Sequence, residues 1–162
     1  MNYRKKAEGV IREIKGVISR IKQKGMVLPP SPINTYLTNV TTMIETGQYL
    51  DATKIGRECL TYLEETEVLF EAVRDEVIQL QEQLSLLKDG KVPIDEEEIT
   101  FNKVVDLFKK AEYEEAKEAG AACRKLLENK SSLFEEADHA IKEAWQLMKH
   151  AAPLGWEVTK AN

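Results

Sequence analysis

Apolar residues recur at spacings of three and four along most of the chain, which predicts a succession of amphipathic helices. The first stripe, Ala7, Val10, Ile11, Ile14, Val17, Ile18 and Ile21, predicts a helix from about Asn2 to Lys24. The link Gly25 to Pro32 holds three prolines, which remove backbone donors and restrict the residues before them, so the chain turns there. A short helix is expected from about Ile33 to Glu45, with Ile33, Leu37, Val40 and Ile44 on one side. Gly47 breaks it, and Asp51 is the expected N-cap of the next helix.

That next helix is long. From about Tyr49 to Lys88 the positions Ala52, Ile55, Cys59, Tyr62, Leu69, Val73, Leu80, Leu84 and Leu87 keep near-heptad spacing, interrupted by Thr66 and Glu76. About 40 residues at 1.5 Å each extend roughly 60 Å, a length that implies coiled-coil or shared-bundle packing. Gly90 and Pro93 turn the chain again, and a second short helix uses Phe101, Val104, Val105 and Phe108. Its start, Asp95 to Glu98, reads as a solvated first turn whose negative charge meets the helix macrodipole. A second long helix follows from about Tyr113 to Ala152, and the residues from Pro153 onward resemble the opening of a third link.

The stretch Met43 to Phe70 reappears, diverged, at Leu107 to Phe134. At an offset of 64, Tyr49/Tyr113, Ala52/Ala116, Gly56/Gly120, Cys59/Cys123, Leu63/Leu127, Glu64/Glu128, Leu69/Leu133 and Phe70/Phe134 coincide. Gly25, Gly90 and Gly155 lie 65 apart, each after a helical stripe, where helices commonly stop. Self-similarity at a fixed period is the signature of a helical array. The expected fold is therefore an all-α, elongated array of two three-helix-bundle units with a repeat of 64–65 residues. The first unit spans 1–72 and the second 73–152, sharing the long helix 49–88, with a tail at 153–162. One part is left over: no third short helix exists to cover the back half of the last helix, with Ala137, Ile141, Ala144, Trp145, Met148 and Ala152.

The joints GQYLDA and AEYEEA resemble the helix-turn-helix joint of tetratricopeptide repeats, and more closely the G-D-Y-E-E-A helical repeats of coiled-coil-rich archaeal proteins. A small residue lets two antiparallel helices approach, Tyr plugs the corner and Ala permits close packing one turn later. The period differs from the 34 residues of tetratricopeptide repeats, and the Trp of their first helix is absent, so no peptide groove carries over residue by residue. The resemblance implies a class, a helical scaffold that binds other proteins.

Charge changes the picture in one place. Within the first 24 residues Arg4, Lys5, Lys6, Arg12, Lys15, Arg20, Lys22 and Lys24 face only Glu8 and Glu13, in a chain whose net charge is −5. This basic face of helix 1, chiefly Arg4, Lys5, Arg12, Lys15, Arg20 and Lys22, has a simple structural explanation as the complement of an acidic remainder. The alternative is an electrostatic adaptor binding nucleic acid or an anionic membrane surface, which the acidic overall balance and the lack of Trp or Phe on this helix disfavour. No apolar run reaches membrane-spanning length, and the charged start lacks the apolar core of a signal peptide, so a cytoplasmic protein is expected.

Candidate chemistry is sparse. Two cysteines at equivalent repeat positions read as small core hydrophobes. Glu136 and His139 fit one half of a di-iron motif, but the second half is missing, since Leu147 stands three residues before His150. No glycine-rich phosphate loop or nucleophile-base pairing occurs. The expectation is a non-enzymatic interaction or scaffold protein, with no catalytic residue, no metal, no cofactor and no small-molecule substrate. The candidate partner-binding residues are Ile141, Trp145, Met148 and Trp156, an apolar group where the array stops. A contiguous exposed apolar patch of this kind marks an interface, so this end pairs with itself in a homo-oligomer, docks a partner helix or belongs to a longer array, unless the tail from Pro153 to Asn162 folds back and covers it.

Overall fold

A computed structural model describes residues 2–151, which form five helices and, among those residues, no strand. They are α1 Tyr3–Gln23, α2 Pro30–Glu45, α3 Tyr49–Asp89, α4 Asp95–Lys109 and α5 Tyr113–Ala151. The Asn2 side chain caps α1 by accepting the Lys5 amide at 3.0 Å. Gly25 follows its end with a left-handed φ of +82°, and Gly47 does the same after α2 at +78°, conformations that glycine adopts without steric penalty.

The starts of α2 and α3 carry detail that the stripes do not show. α2 is bounded at Pro30 but kinks at its second residue, so its unbroken helical geometry runs from Pro32, within one residue of the expected start at Ile33. Ser31 remains non-helical inside it (φ −92°, ψ 137°). Asp51 is not the cap of α3. The turn after α2 is tight, with the Gln48 amide donating to the Met43 carbonyl at 2.7 Å, so α3 starts at Tyr49 behind Gln48. Asp51 lies inside the first turn, where its charge still opposes the macrodipole.

α3 is the spine and touches all four other helices. Its front half packs on α1 and α2. Cys59, Leu60, Leu63 and Phe70 meet Val10, Ile14, Ile21 and Ile33, while Ala52 joins Ala7 and Val40 at the far end. Its back half packs on α4 and α5, with Leu80, Leu84 and Leu87 against Ile94, Val104, Cys123 and Leu127. Gly56 sets the approach of α1 to α3: a Cβ there would stand 2.3 Å from Val10 Cγ1. Gly120 is less confined, since its added Cβ would lie 3.1 Å from the movable Glu76 Cγ.

The two interruptions of the α3 stripe have distinct uses. Thr66 turns its hydroxyl back onto the Tyr62 carbonyl at 2.7 Å. Glu76 accepts from Arg124 of α5 and so ties the back half of the spine to its neighbour. The solvated reading of Asp95 to Glu98 fails at Glu97, which is 4% exposed. Ile94, Glu97, Phe101 and Val104 fall on one helical face, so the side of α4 that must meet α5 carries Glu97 inward. Lys130 approaches it at 3.4 Å, and the Glu97 Oε2 atom has no hydrogen-bond partner among the described residues.

Candidate interaction surface

α5 extends well past its neighbours. Its first half buries Tyr113, Ala116, Gly120, Cys123 and Leu127. Cover ends near Phe134, whose ring tip would meet a Cβ at Gly90, the C-cap of α3, at 3.6 Å. From Ser132 to His150 every residue except Asp138 is exposed. The helix persists regardless, and so presents its stripe to solvent. Leu133 (64%), Phe134 (42%), Ile141 (58%), Trp145 (61%), Leu147 (70%) and Met148 (49%) are the exposed large apolar groups on it.

Three of the four residues singled out from sequence, Ile141, Trp145 and Met148, therefore lie on one exposed helical segment. Trp156 lies outside the described residues. Leu133, Phe134 and Leu147 were missed as members of this surface. The signal was available for two of them, because Leu133 and Phe134 are the repeat partners of Leu69 and Phe70, and Phe70 is buried at 4% exposure. The polar side of the segment carries local contacts one turn apart, an ion pair of Lys142 with Asp138 at 2.8 Å and a contact of His139 Nε2 with the Glu143 carboxylate at 3.1 Å.

The basic face of α1 divides in two. Arg20 binds Glu67 of α3 with its two terminal guanidinium nitrogens, at 3.3 and 3.0 Å, and Lys24 bridges Glu67 at 2.6 Å and Glu71 at 2.9 Å. The hydrogen bond and charge of Lys24 hold the Glu71 carboxyl below its ordinary range. Arg4 pairs with Glu8 on its own helix at 2.9 Å. Lys5, Arg12, Lys15 and Lys22 have no ion pair among the described residues, and Lys15 and Lys22 rim a cleft of about 400 Å³ floored by Ile18, Leu28, Ile33 and Leu37.

Nothing in the covered core gathers reactive groups. Cys59 and Cys123 are free and fully buried in separate clusters, and burial pushes both thiols up, with the Glu97 charge adding to the effect at Cys123. A raised thiol is a poor nucleophile. Among the described residues no three His, Cys, Asp or Glu side chains come together as metal ligands, and no helix is long and apolar enough to cross a membrane. No protein-family model, curated protein or solved structure matches the chain.

Proposed function

We propose that the protein is a non-enzymatic helical scaffold whose working surface is the uncovered second half of α5. The observation that carries this reading is the run of exposed residues from Ser132 to His150 together with the apolar stripe through Ile141, Trp145 and Met148. A soluble helix with such a stripe normally buries it, and a large exposed apolar patch is an interface in waiting. The joints GQYLDA and AEYEEA, with their likeness to scaffold repeats, fit this role. The double variant Trp145→Glu, Met148→Glu tests it. Loss of every self- or partner-associated species, with helicity by circular dichroism unchanged, supports the reading; association indifferent to both residues removes it.

A second reading is favoured by one observation, the five basic side chains of α1 (Lys5, Lys6, Arg12, Lys15 and Lys22) that have no ion pair among the described residues. It assigns α1 to an anionic surface, nucleic acid or lipid. Binding to anionic vesicles or duplex DNA that falls steeply with salt, and falls again in Lys15→Ala, Lys22→Ala, would support it.

A further inference from the structure

The second half of α5 differs from the helix it repeats in a regular way. At the offset of 64, the α3 stripe Phe70, Val73, Val77, Leu80, Leu84 and Leu87 becomes Phe134, Ala137, Ile141, Ala144, Met148 and Ala151. Every second position has shrunk to alanine. In α3 that stripe is covered by two helices, α4 and α5, and the large residues fill the space between them. In α5 the alternation of large and small leaves a narrow seam, suited to one helix at close range rather than to another pair.

Written as a heptad, Phe134, Ile141 and Met148 occupy the a positions and Ala137, Ala144 and Ala151 the d positions. The flanking g positions are Leu133, Ala140 and Leu147, and Trp145 is at e. The outer positions are polar throughout: Glu135, Glu136, His139, Lys142, Glu143, Gln146, Lys149 and His150. Resting on the reading of this face as the working surface, we infer that its occupant is the same segment of a second copy, packed antiparallel about a two-fold axis between Lys142 and Glu143.

Complementarity fixes the direction. In an antiparallel pair each a position faces a d position of the other helix. With the axis between Lys142 and Glu143, Phe134 meets Ala151, Ala137 meets Met148, and Ile141 meets Ala144, each contact then repeated by symmetry. Every layer sets one large residue against one alanine, the arrangement that interdigitates without voids or clashes. A parallel pair would instead stack Phe on Phe and Ala on Ala, alternating crowding with cavities. The seam also lies on the same heptad positions through which α5 packs on α3 (Cys123, Leu127), the two parts being separated by Lys130, which turns to Glu97 of α4. Its two folded bodies would stand at opposite ends of the pair.

The test combines mass with register, on the intact chain. Light scattering behind size exclusion is expected to give twice 18.4 kDa, and an equimolar mixture of Ala137→Cys and Met148→Cys is expected to form a mixed disulfide under mild oxidation. Neither variant alone should cross-link, because identical positions would be separated by 11 residues, roughly 16 Å along the helix, beyond disulfide reach. The native thiols are buried and do not compete. A strict monomer up to the solubility limit overturns the inference, as does Ala137→Cys cross-linking to itself, or a dimer in which no seam pair cross-links. In any of those cases the broader reading still stands if a foreign protein binds in a manner abolished by Trp145→Glu, Met148→Glu, and falls with the inference if none does.

Discussion

The Tyr113 hydroxyl donates a 2.7 Å hydrogen bond to the Val27 carbonyl, joining the start of α5 to the link between α1 and α2 across 86 residues of sequence. The same ring packs edge-on against Phe70 and Phe108, at 5.6 and 5.7 Å, and those two rings stack at 5.3 Å. Met26, Ala111 and Tyr113 thus share a core with Ile14, Ile21 and Leu63, and the second joint belongs physically to the first unit. Removing only the hydroxyl, in Tyr113→Phe, leaves a carbonyl without its partner and is expected to cost about 1–2 kcal/mol. Truncation in Tyr113→Ala also empties the aromatic cluster and should cost about 3–5 kcal/mol. Urea unfolding followed by circular dichroism reads both, and a single transition would show that the two units unfold together.

The two repeat glycines predict opposite sensitivities. Gly56→Ala forces a methyl group into Val10 at the closest approach of α1 and α3, and overpacking of this kind is expected to cost about 1–3 kcal/mol. Gly120→Ala meets only the Glu76 side chain, which can shift, while alanine gains up to about 1 kcal/mol of helix propensity. Thermal melts should therefore place Gly120→Ala within about 1 kcal/mol of the parent and Gly56→Ala clearly below it. Glycine at the same repeat position reflects a tight contact in one copy and a relaxed one in the other.

Those glycines also mark how far the sequence could be read. The number, order and type of the helices were legible because stripes such as Ala7 to Ile21 carry the helical period and Gly25, Gly47 and Gly90 punctuate it. The kink at Ser31 and the cap of α3 at Gln48 were not, since each depends on turn geometry that periodicity does not encode. Buried charge was the larger gap. Glu67 stands four residues after Leu63 and three before Phe70, on the core face of α3, and its burial at 8% exposure is possible only because Arg20 and Lys24 arrive from 47 and 43 residues away. A pattern of apolar positions on one helix cannot report a partner on another. Exposure of Ile141, Trp145 and Met148 was legible for a different reason: counting short helices against half-helices left one half without cover.

The Lys24–Glu71 contact gives a pH prediction. Glu71 has a depressed carboxyl in the folded protein, with Lys24 as the main cause, so this pair contributes stability above the ordinary glutamate range and loses it as pH falls through the lower folded value. Stability measured by urea titration at successive pH values should therefore decline on the acid side. In Lys24→Met that decline should be shallower, while the neutral-pH stability drops because Glu67 keeps only Arg20. An acid limb of identical slope in both proteins would assign the acid sensitivity to other carboxylates.

Glu97 tests whether a buried charge in this core is a stabilising element or a tolerated one. Its carboxylate is almost fully enclosed, its only cation is Lys130 at 3.4 Å, and one oxygen lacks a partner among the described residues. Desolvating a carboxylate is expensive, and a single long contact to a partly exposed ammonium offsets it incompletely. Removing Lys130 alone leaves the charge stranded, so Lys130→Met should destabilise by about 1 kcal/mol or more. Removing both charges with side chains of similar volume, in Glu97→Met, Lys130→Met, should restore or exceed the parent stability, because the Ile94–Phe101–Val104 face then becomes continuously apolar. The double-mutant cycle isolates the coupling between the two. If Glu97→Met proves as damaging as Lys130→Met and the double variant recovers nothing, the carboxylate is holding α4 against α5 through the Lys130 contact itself.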